Sequence, residues 1–180
     1  GRHQSVLTAS PVKQFAVANN LPVLQPTSLK DPGFLEELAT YEADLQIVVA
    51  FRMLPQVVWD MPRLGTFNLH ASLLPNYRGA APINWAIING ETQTGVTTFF
   101  LDKDIDTGKI IMQQSTPIDS EDDVEAVYDR LMKLGAEICL KTVEKVIDSD
   151  GHPEAIAQES LVKDDDLQCI APKLFKENTI

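Results

Sequence analysis

Asn68, His70 and Asp106 are the residues of this chain whose types and spacing suit acid–base and oxyanion chemistry. Asn68 and His70 are two apart in Phe67-Asn68-Leu69-His70, an apolar–polar alternation that reads as a half-buried strand. Phe67 and Leu69 then point to one face, and the amide and the imidazole stand side by side on the other. Directly after them, Ala71-Ser72-Leu73-Leu74-Pro75-Asn76-Tyr77-Arg78-Gly79 cannot continue a strand. The pair therefore lies at a strand's carboxyl end, where open α/β sheets bind ligands. Asp106 belongs to the polar loop Asp102-Lys103-Asp104-Ile105-Asp106-Thr107-Gly108. If that loop faces the strand end, its carboxylate favours a protonated imidazole and fixes the ring's orientation. Such a set stabilises a tetrahedral oxyanion, and losing one donor of this kind typically costs about 10²–10³ in rate. It contains no nucleophile, which suits a substrate that brings its own, such as an amine attacking an activated acyl group.

Plainer readings of the same residues stay open at this level. A histidine at a strand end is more often a satisfied structural group than a catalyst. Asp106-Thr107-Gly108 also makes a tight turn, which Asp and Gly favour, and Arg78-Gly79 makes a solvent-facing one. Ser72 invites a Ser-His-Asp triad with His70 and Asp106. It lacks the Gly-x-Ser-x-Gly elbow, however, and two residues from His70 it is poorly placed to react.

The elements that must hold these residues follow from local pattern. Ser10-Pro11 reads as an N-cap with proline at the first helical position, and Val12, Phe15 and Ala16 share one face of a helix that Asn19-Asn20 ends. Leu21 to Pro26 is expected to be a short strand between prolines. Asp31-Pro32 repeats the cap for a helix with Phe34, Leu35 and Leu38 on its buried stripe. Leu45 to Ala50 is a near-continuous β-branched run, suited to a strand buried on both faces. A short helix at Gln56 to Asp60 leads to the Asn68 strand, and Pro82 to Asn89 is helical until Gly90 stops it. Val96 to Leu101 and Ile110 to Gln114 are two more strands. The longest helix runs from about Ser120 to Asp148, with Glu121, Asp122 and Asp123 at its positive end and Lys141 and Lys145 toward its negative end. Its core stripe is expected at Val124, Val127, Tyr128, Leu131, Ile138 and Val146. The polar segment after Gly151 reads as an arm or linker. Strands alternating with helices, then a strand pair, predict an α/β sheet, mostly parallel and mixed at one edge.

Composition narrows the function classes. The 180 residues are 44% hydrophobic and 23% charged, which describes a globular domain with a real core. No apolar run approaches the ~20 residues needed to span a bilayer. Fifteen basic against 26 acidic residues give a formal charge of −11, a field that repels polyanions and anionic membranes. Nucleic-acid binding by this chain alone would need a local basic patch, and none stands out. Cys139 and Cys169 have no metal-ligand spacing, the three histidines are scattered, and no metal is expected. The two cysteines read as reduced thiols of a cytoplasmic protein.

Asn68-Leu69-His70-Ala71-Ser72-Leu73-Leu74-Pro75 with Tyr77-Arg78-Gly79, Ala81-Pro82-Ile83-Asn84-Trp85 and Asp106-Thr107-Gly108 resembles the motif set of the N10-formyltetrahydrofolate-dependent formyltransferases. That resemblance implies a Rossmann-like formyltransferase fold and 10-formyltetrahydrofolate as co-substrate. It implies catalytic roles for Asn68, His70 and Asp106, and folate contacts at Ser72, Leu73, Leu74 and Pro75. Within the superfamily, Gly1-Arg2, Leu7, Ser10-Pro11-Val12-Lys13 and Leu21-Pro22-Val23-Leu24-Gln25-Pro26 are similar to the branch whose acceptor is methionyl-tRNA. There the Gly-Arg loop helps receive the aminoacyl end, so Arg2 is expected to touch substrate. Ala171-Pro172-Lys173-Leu174-Phe175 resembles the passage leaving that branch's catalytic domain.

The resemblance also sets expectations about extent. Residues 1–150 correspond to the catalytic core and 151–180 to a linker toward a further domain. A strand-helix-strand unit precedes the Gly-Arg loop in that family and a barrel with tRNA-binding surface follows the core, so most of the initiator-tRNA surface is expected outside these residues. The sheet is expected to lack its first unit. Phe51 to Pro55 is expected to wall the folate pocket. Formyl transfer to glycinamide ribonucleotide or to a sugar-nucleotide amine, hydrolysis of the formyl-folate, and an inactive fragment that only binds folate are the alternatives.

Overall fold

The computed structural model describes residues 8–50, 53–102, 106–162 and 170–175. The chain divides after Tyr41 into two compact units. In the first, both proline-led helices are capped by the expected side chains. Ser10 Oγ accepts from the Lys13 N–H at 3.3 Å to open α1 (Pro11–Ala18), and Asp31 accepts from the Phe34 N–H at 2.9 Å to open α2 (Pro32–Ala39). Leu21 to Pro26 is not a strand. Pro22 and Pro26 have no N–H to donate, and no strand among the described residues pairs with the segment. Its Pro22, Leu24 and Pro26 instead line an apolar hollow with Leu29, Phe34, Leu38 and Tyr41.

The second unit is built on a four-stranded sheet. Its strands are β1 (Gln46–Val49), β2 (Thr66–His70), β4 (Gln93–Phe100) and β5 (Ile110–Pro117), in the order β1-β2-β4-β5. β1 and β2 are parallel, while β4 is antiparallel to both β2 and β5. Three strands therefore share one direction and β4 opposes them. A second, two-stranded parallel sheet joins β3 (Arg78–Gly79) to β6 (Ile170–Ala171). The short helices α3 (Gln56–Trp59) and α4 (Pro82–Ile88) flank β2 in the chain, and α5 (Val124–Asp148) covers one sheet face.

The alternation in β2 decides which side faces α5. Phe67 packs in a buried cluster with Leu64, Ile111 and Val146, and Leu69 packs against Val96, Val127, Leu131 and Ile138. Phe67, fully buried, contributes roughly 1.5–3 kcal/mol, and the partly buried Leu69 less. A polar pair also fixes the helix: the Thr98 and Thr142 hydroxyls lie 2.8 Å apart, and Thr142 donates to the Ile138 carbonyl. Gly135 permits close approach, since a Cβ there would stand 3.0 Å from Leu69 Cδ2. Asn68 and His70 consequently project from the opposite face. A register shift between Thr98 and Phe99 turns Ile110 to that same opposite face, beside Leu74 and Phe99, while Ile111 stays with the α5 cluster.

Two expectations about burial are corrected. In β1 only Val48 is buried, and Ile47 and Val49 are 46% and 59% exposed, because β1 is the end strand of the four-strand order. In α5 the buried positions are Val127, Leu131, Gly135, Ile138, Thr142 and Val146. That three-and-four spacing turns Tyr128, about 100° further round from Val127, out to solvent. Val124, on the first turn, is also exposed, and the helix starts there with Asp123 as its cap rather than at Ser120. No helix among the described residues is long and apolar enough to cross a membrane.

Candidate active site

The end of β2 brings Asn68 and His70 to the sheet face away from α5, and the loop after Leu101 brings Asp106 to His70. All three are nearly buried, at 4%, 7% and 6% exposure. His70 Nε2 lies 2.8 Å from the Tyr77 carbonyl oxygen, and His70 Nδ1 lies 3.9 Å from Asp106 Oδ2. A carbonyl can only accept, so Nε2 carries the hydrogen and Nδ1 is the nitrogen turned to the carboxylate. The 3.9 Å separation is an ion-pair distance, longer than a hydrogen bond, and catalytic contacts of this kind commonly tighten when substrate binds. Asp106 Oδ2 also accepts from the Gly79 N–H at 3.1 Å.

Asn68 is flanked in register by Val48 on β1 and Phe99 on β4, neither of which offers a side-chain donor. Its Oδ1 is buried and has no hydrogen-bond partner among the described residues. Leaving such an acceptor unpaired costs about 1–3 kcal/mol, which proteins tolerate where a ligand makes the bond. A half-turn about χ2 exchanges oxygen for nitrogen at that point, so the same place accepts from an amine or donates to an oxyanion.

The Ser72-Leu73-Leu74-Pro75 segment is held by β4 and β5. The Thr97 hydroxyl donates to the Ser72 carbonyl at 2.6 Å and accepts from the Leu74 N–H, while Gln113 Nε2 donates to the Leu74 carbonyl and to Thr97 Oγ1. Leu74 is buried against Phe99 and Ile110, so the segment sits directly beside the strand neighbour of Asn68. Ser72 Oγ donates to the Asn76 carbonyl at 2.7 Å with the residue 1% exposed, which removes it as a nucleophile. Of the four expected folate contacts, Leu73 and Pro75 present partly exposed side chains, and Ser72 and Leu74 turn theirs inward.

Sequence reasoning missed the residues that hold the loop ends in place. Tyr77 adopts φ +60, and its hydroxyl donates to Glu91 and accepts from Asn89 Nδ2 at 3.1 Å, which anchors the residue whose carbonyl meets His70. Gln158, fully buried, donates to the Asp106 and Gly108 carbonyls, both at 2.8 Å, and accepts from Arg78 at 3.0 and 2.6 Å. Gly108 is required by closeness: a Cβ there would lie 1.6 Å from the Phe100 oxygen. The segment after Gly151 joins the sheet unit at further points. Ile156 exchanges two 2.8 Å backbone bonds with Ile110, and the Ala171 carbonyl accepts from Ala80. Nothing local in Ala157-Gln158-Glu159 advertises this. Arg2, Phe51 and Arg52 lie outside the described residues; Met53, from the expected pocket wall, is 71% exposed.

Among the described residues no group of three or more His, Cys, Asp or Glu side chains converges as a cation site. A surface hollow between β5 and α5, lined by Gln114, Thr116, Arg130 and Lys133 among others, includes none of Asn68, His70 and Asp106.

The chain is 64% identical over 177 residues to a methionyl-tRNA formyltransferase of Parabacteroides distasonis, a match covering 98% of this chain and 54% of that protein. It thus spans about half the length of the relatives it matches. The fold is similar to a phosphoribosylglycinamide formyltransferase of Bacillus halodurans, with a TM-score of 0.71 at 23% identity over 78% of this chain and 77% of that one. It is also similar to WlaRD, a sugar 3N-formyl transferase, with a TM-score of 0.64 at 27% identity over 82% of this chain and 49% of that one. The sequence model described as formyl transferase matches residues 1–143. The fold is thus shared with formyl transferases of known structure, and the chain belongs to the formyl transferase family.

Proposed function

We propose that this chain is the catalytic part of an enzyme that moves the formyl group of 10-formyltetrahydrofolate to the α-amine of methionyl-tRNA. The observation that carries the reading is His70. It is pinned by the Tyr77 carbonyl on one nitrogen and faces Asp106 on the other, on the same strand face as an Asn68 with a free amide end. The co-substrate supplies the formyl group. As the acceptor amine adds to the formyl carbon, the carbonyl oxygen becomes an oxyanion. The Asn68 amide donates to it, as does a protonated His70 through Nδ1–H, which at 3.9 Å from Asp106 is not taken up in a hydrogen bond. Collapse of the intermediate breaks the bond from the formyl carbon to the folate N10. Asp106 holds His70 in position and manages the proton passing from the amine to the folate N10. Assistance of this kind contributes about 10²–10⁴-fold.

The 64% identity to a protein named methionyl-tRNA formyltransferase supports the acceptor. In this reading Ser72, Leu73, Leu74 and Pro75 contact folate, Ser72 and Leu74 through their backbone, and Arg2 contacts the aminoacyl end. Residues 1–150 are the catalytic core, and 151–180 continue from it as the connecting arm. Because the chain carries a charge of −11, it touches the acceptor end of the tRNA rather than its polyanionic body. An initiator tRNA is a cytoplasmic substrate, so the activity belongs there.

The deciding assay offers the full-length protein labelled 10-formyltetrahydrofolate with methionyl-tRNA, with glycinamide ribonucleotide, or with water alone. Transfer to methionyl-tRNA far above the other two is expected. Faster formylation of glycinamide ribonucleotide, or formate release as fast as transfer, overturns the reading.

A further inference from the structure

We infer that Gln158 is a positioning residue for the reaction, holding the Asp106 carboxylate at the distance from which it acts on His70. The inference rests on the proposed role of Asp106. It begins with the saturation of one carboxamide. Gln158 is fully buried, its Oε1 accepts from both Nε and Nη2 of Arg78, and its Nε2 donates both hydrogens, to the Asp106 and Gly108 carbonyls. A glutamine side chain has two acceptor sites and two N–H donors, and here all four are used.

These bonds close a ring. The Asp106 side chain accepts from the Gly79 N–H, Gly79 follows Arg78, the Arg78 guanidinium donates to Gln158, and Gln158 donates back to the Asp106 backbone. Asp106 is thereby held at its side chain by Gly79 of β3 and at its main chain by Gln158, itself tied to Arg78 of the same strand. Its φ of +55 lies in the left-handed region, which Asp tolerates better than most residues but in which the loop still gains from being held. The second carbonyl gripped by Gln158, that of Gly108, lies two residues on, so the turn is fixed on both sides of Thr107. Released, the loop can carry the carboxylate away from His70 Nδ1, from which it is already 3.9 Å distant. The segment beyond Gly151 thus contributes to the chemistry through one side chain.

The test uses Gln158→Met, which keeps the volume and removes all four bonds, and Gln158→Glu, which keeps the acceptor half toward Arg78 and removes the donor half. Both are made in the full-length protein, alone and together with Asp106→Asn, with unfolding measured beside kinetics. Either folded variant is expected to lose about 10²-fold in kcat, as misplacement by an ångström does. KM for both substrates should change by less than about threefold, and the limb of the pH–rate profile assigned to the His70–Asp106 pair should move. In the Asp106→Asn background the Gln158 changes should add less than about twofold, because their effect passes through the carboxylate. Parental kcat in a folded Gln158→Met protein beside a crippled Asp106→Asn protein overturns the positioning role alone. So does a Gln158 effect that adds in full to that of Asp106→Asn, or unfolding of both variants, which would make Gln158 a residue of the core. Parental kcat in Asp106→Asn itself overturns the proposed function, and this role with it.

Discussion

The imidazole of His70 donates from Nε2 to the Tyr77 carbonyl oxygen at 2.8 Å, so its Nδ1 faces Asp106. In the neutral ring this sets a lone pair before a carboxylate. A protonated ring carries a second hydrogen on Nδ1, and at 3.9 Å from Asp106 that hydrogen is not taken up in a bond of ordinary length, so it is the one left to donate to a developing oxyanion. Tyr77 is held for this contact by its own hydroxyl, through Glu91 and Asn89. Tyr77→Phe is expected to cost about 1 kcal/mol of stability in denaturant unfolding, the ordinary worth of a hydrogen bond that is not left wholly unpaired. Unchanged stability would show that the hydroxyl does not anchor the loop.

Gly108→Ala should do more damage. Its Cβ would meet the Phe100 carbonyl oxygen at 1.6 Å and Phe99 Cδ2 at 3.3 Å, and a strand backbone cannot move aside as a side chain can. A loss of about 3 kcal/mol or more is expected by thermal unfolding. Loss of formyl transfer should accompany it, because the Asp106 turn cannot close. Gly90→Ala, with nothing within 4 Å of the added carbon but a φ of +70, is the milder control.

The head of α5 carries a pH-dependent clamp. Asp122 accepts two bonds at 2.9 Å from Arg130 and one from the Asp119 N–H, and these, with Arg130 first, hold its carboxyl below the ordinary value of 3.8. A carboxylate whose folded value is depressed adds stability above its unfolded value and loses it as pH falls through the folded one. Asp122→Asn is therefore expected to lower the urea midpoint at neutral pH, with the difference from the parent fading as pH falls below 3.8 and through the depressed folded-state value. A difference that grew in acid would contradict the clamp.

Cys139 sits beside the cluster of Phe67 and Val146, and burial pushes its thiol above 9.0. Thiolate is the reactive form, so alkylation by iodoacetamide should be about tenfold slower or more in the folded protein than in urea, read on the peptide containing Cys139. Equal rates would place the thiol at the surface.

Much of this was readable in the chain because it is local. The caps at Ser10 and Asp31 need only their neighbours three residues on, and the Phe67-Asn68-Leu69-His70 alternation needs only the two faces of a strand. The motif around Ser72 to Gly79, with Asp106-Thr107-Gly108, carried the family. What stayed hidden depends on partners far along the chain. Thr97 and Gln113 hold the Leu74 turn from β4 and β5, and Gln158 reaches Asp106 across 52 positions. Polar residues in such roles look like surface residues until the fold buries them. Ile47 and Val49 erred the other way, because a β-branched run announces a strand without saying which neighbours it will have.

The measurement closest to the central claim is single-turnover formyl transfer from 10-formyltetrahydrofolate to methionyl-tRNA by the full-length protein and its His70→Ala and Asn68→Ala variants. Each variant, folded and still binding folate, should be slower by about 10²–10³-fold, the cost of one lost oxyanion donor. Transfer at the parental rate in a folded His70→Ala protein would contradict the account.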